Sequence, residues 1–132
     1  MKKTHIMLAV LLAGMAVGVS GCLLVAVGAG AAGTVAYVKG DLEATLDAGM
    51  DRAYSASLAA LDQLQIVPTQ KLKDSLSAEI IARRSDDTKI TVKLTRVDDK
   101  ITKLSIRVGV FGDQAQSTAI YERIKQSLKQ AP

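Results

Sequence analysis

The stretch SAEIIARRSDDTKITVKLTRVDDKITKLSIRVGVFG, residues 77–112, carries the clearest structural pattern in the chain. Apolar residues alternate with polar ones in two runs, Ile90, Val92 and Leu94 and then Leu104, Ile106, Val108 and Val110. A period of two is typical of strands that bury one face. The segments SDDT and DDK between the runs have the composition of tight turns. The stretch therefore predicts a three-strand antiparallel meander.

The residues before the meander predict two further strands or strand pieces and one helix. Residues 34–47 have strand alternation and are interpreted as one strand or a bent pair, with Gly40 as a bulge. Residues 47–65 have apolar side chains at helical spacing, and Asp47 is the expected N-cap. Pro68 makes the segment IVPTQKLKD an edge strand or its beginning, because proline cannot donate to a central ladder. The expected core side chains of this helix are Met50, Ala53, Tyr54, Ser57, Leu58, Leu61 and Leu64.

The segment GDQAQSTAIYERIKQSLKQ, residues 112–130, predicts a C-terminal helix. Asp113 is the expected N-cap, and Gln116 at the third helical position completes a capping-box pattern. The expected buried stripe is Ala119, Ile120, Tyr121, Ile124 and Leu128. The predicted fold class is therefore α+β: an antiparallel sheet of four to five strands with two helices on one face. A signal peptide and a Gly/Ala-rich apolar segment precede it.

The N-terminus has the order of a secretory signal, basic, then apolar, then small. MKKTH is followed by the apolar run IMLAVLLAGMAVGV and by SGC. The segment VSGC, residues 19–22, resembles a bacterial lipobox, and Cys22 is the only cysteine of the chain. One alternative stays open: residues 6–33 form a 28-residue apolar stretch, and about 20 residues suffice for an uncleaved membrane span.

The lipobox resemblance implies a lipid anchor at Cys22. It implies a thioether-linked diacylglyceryl group, cleavage after Gly21 and acylation of the new amino terminus, for example by palmitate. Several acyl chains on one residue anchor a protein stably, whereas a single chain binds reversibly. Leu23 in place of aspartate implies export to the outer membrane, facing the periplasm. The predicted organisation is a signal peptide at 1–21, a lipidated tether at 22–33 and a domain at 34–132.

The glycines at 28, 30 and 33 match the spacing of a dinucleotide-binding turn. That site requires a helix directly after the turn, whose N-terminus meets the pyrophosphate. The β-branched residues and strand alternation of residues 34–47 predict strands instead. The motif is therefore interpreted as a flexible tether or as a surface for close contact with the bilayer or another copy.

The composition argues against several other functional classes. The net charge of +4 falls to +2 without Lys2 and Lys3, and aromatic residues are few, which argues against nucleic-acid binding. The only histidine, His5, lies in the leader, so the predicted mature chain has no imidazole for catalysis or metal binding. We therefore expect no enzyme activity, no cofactor, no metal and no small-molecule substrate.

Two charged features have residue types that occur in functional sites. The pairs Asp86–Asp87 and Asp98–Asp99 have the residue type of acid–base or calcium sites, but adjacent turn residues point apart. They are interpreted as turn residues. A basic strand face is interpreted as a solvated surface, with contact to anionic lipid or an envelope polymer as the alternative. Its members are Lys89, Lys93, Arg96, Lys103 and Arg107.

Several motifs together resemble a family of short, uncharacterised bacterial lipoproteins classed as a domain of unknown function. They are the GC junction, VGAGAAGTVAYVKGDLEATLD, IRVGVFGD and YERIK. The resemblance implies an envelope lipoprotein in which only Cys22 has an assigned role. The leading hypothesis is a lipid-anchored structural or protein-interaction module whose partner is the membrane, an envelope protein or another copy. The alternatives are a small periplasmic solute-binding protein or hydrolase, and an uncleaved single-span protein.

Overall fold

The structure, a computed structural model, describes residues 35–130. The elements in chain order are β1 (Val35–Val38), β2 (Asp41–Leu46), α1 (Met50–Gln63), β3 (Val67–Lys73), β4 (Ser77–Arg83), β5 (Lys89–Asp98), β6 (Ile101–Val108) and α2 (Gln114–Gln130). The six strands form one antiparallel sheet in the order β1-β2-β6-β5-β4-β3. The predicted α+β class and the β4–β5–β6 meander are confirmed.

The sheet has six strands, whereas four to five were predicted. The difference lies in residues 35–46, which form a hairpin with its turn at Lys39 and Gly40. Both turn residues have positive φ, 53° and 89°. Two-residue hairpin turns of this kind usually contain asparagine or aspartate before the glycine. Lysine at the first turn position gave no such signal, so the bend could not be distinguished from a bulge.

One face of the sheet forms the core with the two helices. Alternate residues of β2, β4, β5 and β6 are buried, among them Leu42, Ile80, Val92 and Ile106, and the two helices pack on them and on each other. The opposite residues of the same strands are exposed or half-buried. The sheet is therefore covered on one face, as period-two patterning predicts. Pro68 lies in the edge strand β3, which confirms the edge prediction.

Helix α1 begins later than predicted. Its N-cap is Gly49, without a side-chain cap, and Asp47 lies two residues before it. A Cβ on Gly49 would lie 2.6 Å from the Asp99 carbonyl oxygen. The close approach of the β5–β6 turn therefore requires glycine where the sequence pattern favoured an acidic cap. Tyr54, Leu58 and Leu64 are half-buried against the core rather than fully buried.

Helix α2 begins as predicted. The Gln116 backbone N–H donates to Asp113 Oδ1 at 3.0 Å, and the Gln116 side-chain amide donates to Asp113 Oδ2 at 3.0 Å. The second bond goes to the carboxylate and not to the backbone N–H of the usual capping box. The predicted stripe is partly wrong, because Ala119 is exposed and Leu128 is half-buried. The helix instead buries Ser117, Ile120, Tyr121, Ile124 and Ser127.

Candidate functional site

The sheet face opposite the two helices, called here the uncovered face, carries many charged side chains. Across β2 and β6, Arg107 Nε donates to Asp41 Oδ1 at 2.7 Å, and Lys103 Nζ lies 3.7 Å from Glu43 Oε2. On β5, Lys93 lies opposite Glu79 of β4 and Ser105 of β6. A shallow cavity of about 200 Å³ on this face is lined by Asp41, Glu79, Lys89, Thr91, Lys93, Ser105 and Arg107. The face offers a mixed, hydrated surface of both charge signs, with a basic excess along β5 and β6.

The structure brings four of the five predicted basic residues onto this face. They are Lys89, Lys93, Lys103 and Arg107, which alternate with the buried residues of β5 and β6. Arg96 does not belong with them, because it pairs in register with the buried Thr102. It donates to Asp99 Oδ1 at 2.6 Å and helps line a separate cleft. Arg96 is in phase with the buried Ile90, Val92 and Leu94, so period-two alternation itself separates it from Lys89 and Lys93; the register irregularity follows it, between Arg96 and Asp98.

That cleft lies at the N-terminus of α1 and has a volume of about 610 Å³. Its wall includes the acids Asp47, Asp51, Asp74 and Asp99 and the bases Arg52, Arg96 and Lys100. Most of the acids are engaged structurally. Lys73 donates to Asp51 at 2.6 Å and holds its pKa below the usual value. The backbone N–H groups of Leu76 and Ser77 donate to Asp74 and lower its pKa in the same way.

The two acid pairs lie at turns, as interpreted from the sequence, with Asp98 as the last residue of β5 before its turn. Arg84 Nη2 donates to Asp86 at 2.8 Å, the Thr88 backbone N–H donates to it at 3.0 Å, and both bonds hold its pKa well below its usual range. Asp98 accepts the Lys100 backbone N–H at 2.7 Å. These carboxylates close β-turns and fix the register of the meander. No group of three His, Cys, Asp or Glu side chains within residues 35–130 is arranged to hold a metal ion.

The β6–α2 loop presents a feature that the sequence pattern missed. Val110 was predicted to continue the strand, but β6 ends at Val108, and Val110 and Phe111 are 82% and 91% exposed. Arg107 fixes the loop by donating to the Val110 carbonyl and the Lys39 carbonyl, each at 2.8 Å. The flanking glycines at 109 and 112 were the available signal, because glycine on both sides of an apolar pair indicates a turn.

The predicted lipidation site, Cys22, lies outside the described residues, as do the signal peptide, the Gly28–Gly33 motif and the alternative membrane span. The strands predicted directly after that motif are present as β1 and β2. Within residues 35–130, no helix has the length and apolar character required to cross a membrane.

Sequence comparison shows which protein family the chain is related to. Residues 5–127 match the family described as "Protein of unknown function (DUF3568)". No curated protein matches the chain. Because the matched segment includes most of the apolar N-terminal stretch, the sheet and most of α2, it covers well over half of the sequence. The chain therefore belongs to the DUF3568 family of proteins of unknown function.

Proposed function

We propose that this protein is a lipid-anchored lipoprotein of the bacterial envelope, whose domain acts as a protein-interaction or structural module. The anchor is Cys22, supported by the lipobox-like VSGC after a signal-length apolar run. Leu23 supports a location at the outer membrane, facing the periplasm. In this proposal the domain performs no catalysis.

The single observation that best supports an interaction role is the uncovered sheet face. Both helices pack on the other face, so the charged side chains of β2, β4, β5 and β6 meet solvent across the middle of the sheet. A flat, polar surface with complementary charges suits reversible contact with another protein more than it suits enclosure of a small substrate. Lys89 and Lys93 also make an anionic envelope polymer a possible ligand for this surface.

The anchor is tested by mass spectrometry of the intact protein purified from its own host. The expected mass lacks residues 1–21 and carries a diacylglyceryl group and an N-terminal acyl chain on Cys22. In the Cys22→Ser variant, we expect loss of both lipids and loss of the protein from the outer-membrane fraction. A bare thiol with the leader attached would refute the anchor and favour the uncleaved single-span alternative.

Solute binding is the second candidate function, because the cleft at the α1 N-terminus has a volume in the range of small-molecule sites. A thermal-shift screen against small polar solutes tests it. A solute that raises the melting temperature of the wild type but not of Arg96→Ala would assign the cleft as a binding site. Since Arg96 also bonds Asp99, Lys100→Ala at the same cleft is the variant that leaves the turn intact.

A further inference from the structure

Val110 and Phe111 form a protruding apolar tip between β6 and α2. Phe111 is the only phenylalanine in the chain, yet 91% of its surface is exposed, and Val110 beside it is 82% exposed. Burying a side chain of this size typically contributes about 1.5–3 kcal/mol. The domain gains none of that contribution from Phe111. An adjacent pair of large apolar side chains left in water marks an interaction site more often than a single scattered one does.

The tip is held in one conformation by the rest of the domain. The Arg107 guanidinium joins three elements, since it donates to Asp41, to the Lys39 carbonyl and to the Val110 carbonyl. The backbone at Gly40 lies so close to the loop that a Cβ there would be 2.6 Å from the Phe111 carbonyl oxygen. A loop fixed in this way loses little conformational entropy when it binds.

Two lysines flank the tip. Lys39 occupies the β1–β2 turn against which the loop packs, and the Lys89 carbonyl accepts the Gly109 backbone N–H at 2.8 Å. Both side chains are exposed, and neither forms an ion pair within residues 35–130. Of the other charges nearby, Arg107 pairs with Asp41 and Arg84 pairs with Asp86, whereas Asp113 caps α2 by accepting from Gln116. With two lysines and one carboxylate that forms no ion pair within the described residues, the surroundings of the apolar tip are basic on balance.

We propose that this tip is the docking anchor of the domain, and that Phe111 enters an apolar pocket with an acidic rim on a protein partner. This inference rests on the proposed interaction function and names the partner's chemistry. The rigid loop favours a protein pocket over a bilayer, because a fluid lipid surface requires no fixed geometry.

The test begins with the photo-crosslinking amino acid p-benzoylphenylalanine at position 111 of the full chain in its own host. The same substitution at Leu76, which is 66% exposed in the β3–β4 turn, is the matched control. We expect one discrete protein adduct at 111 and none at 76. The captured protein is then purified, and its affinity for the wild-type chain is measured by calorimetry at two salt concentrations.

Phe111→Ala is expected to weaken that affinity at least tenfold, as for a buried aromatic anchor. Lys39→Glu combined with Lys89→Glu is expected to weaken it further and to reduce its salt dependence. Leu76→Ala should leave it unchanged, and equal melting temperatures control for folding. Absence of an adduct, or full affinity in Phe111→Ala, would overturn the proposal.

Phe111-dependent binding of the wild type to phosphatidylglycerol vesicles would also overturn it, because the tip would then be a lipid contact. The proposed lipid anchor is tested separately, by the mass of the intact protein, which shows whether Cys22 carries lipid. A lipidated protein with an inert tip would refute only this inference, whereas an unlipidated protein would refute the lipoprotein assignment.

Discussion

Two buried hydroxyl groups provide a sharp test of the packing. The side chains of Thr102 in β6 and Ser117 in α2 are both fully buried. Thr102 Oγ1 donates to the Ala48 carbonyl at 2.8 Å, but Ser117 Oγ has no hydrogen-bond partner among residues 35–130. Removing the two hydroxyls should therefore change stability in opposite directions. We expect Ser117→Ala to stabilise the domain and Thr102→Val to destabilise it.

The magnitudes follow from the bonding of each group. A buried polar group without a partner costs about 1–3 kcal/mol, and alanine is favoured over serine in a helix by up to about 0.7 kcal/mol. Loss of the hydroxyl's packing offsets part of this gain. We therefore expect Ser117→Ala to raise the free energy of unfolding by about 1 kcal/mol. Thr102→Val keeps the side-chain shape but leaves the Ala48 carbonyl without its donor, which costs about 1–3 kcal/mol.

The assay is urea unfolding of residues 22–132, monitored by circular dichroism, with Cys22→Ser in every variant to prevent disulfide formation between chains. Equal m-values are required, because a changed slope would mean a changed unfolded state. In thermal unfolding, each kcal/mol corresponds to about 4–8 °C for a domain of this size. A destabilised Ser117→Ala would show that this hydroxyl has a partner, and a neutral Thr102→Val would show that the Ala48 carbonyl is satisfied in another way.

Three further perturbations test the loop and the turns. Gly112→Ala should destabilise the domain by about 3 kcal/mol or more, because φ is +85° and the added Cβ would overlap the Gly40 backbone. An unchanged midpoint of urea unfolding would contradict this loop geometry. Arg107→Lys, which cannot bond three acceptors in the guanidinium geometry, should speed amide hydrogen exchange in the tip loop while strands β4 and β5 keep their protection. Asp86→Asn should lower the melting temperature at pH 7, and the difference from the wild type should shrink as the pH falls below 3.8. The reason is that a carboxylate with a lowered pKa stabilises the fold above its unfolded pKa and loses that contribution when it is protonated. Parallel curves of melting temperature against pH would refute this role of Asp86.

Much of the fold was predictable because its signals are local. The alternation in residues 77–108 predicted the meander, Pro68 predicted the edge strand, and Asp113 predicted the start of α2. Each of these depends on side-chain periodicity or on the bonding of one residue to a near neighbour. The errors arise where distant segments meet. Gly49 replaces Asp47 as the N-cap because of the β5–β6 turn, which lies 50 residues away in sequence.

The candidate site was less predictable than the fold. Five basic residues were expected on one face and four of them lie there. Arg96 was assigned to it wrongly, because the residues were grouped by charge, whereas period-two alternation separates Arg96 from Lys89 and Lys93. Val110 was expected in a strand, and the sequence pattern did not predict the exposure of Phe111. Apolar character predicts burial on average, so an apolar residue that remains exposed is recognised only when the surrounding structure is known.

The sequence by itself determined the α+β class, the antiparallel meander and the single buried sheet face, because these follow from periodicity along one strand or helix. It also supplied the basis for proposing an anchor at Cys22. The tertiary structure alone decided the sixth strand, the glycine cap of α1 and the clamped, exposed tip at Phe111. Those features depend on contacts such as Arg107 to Lys39 and Gly40 to Phe111, which join residues about 70 positions apart. A local sequence pattern does not predict contacts over such a separation.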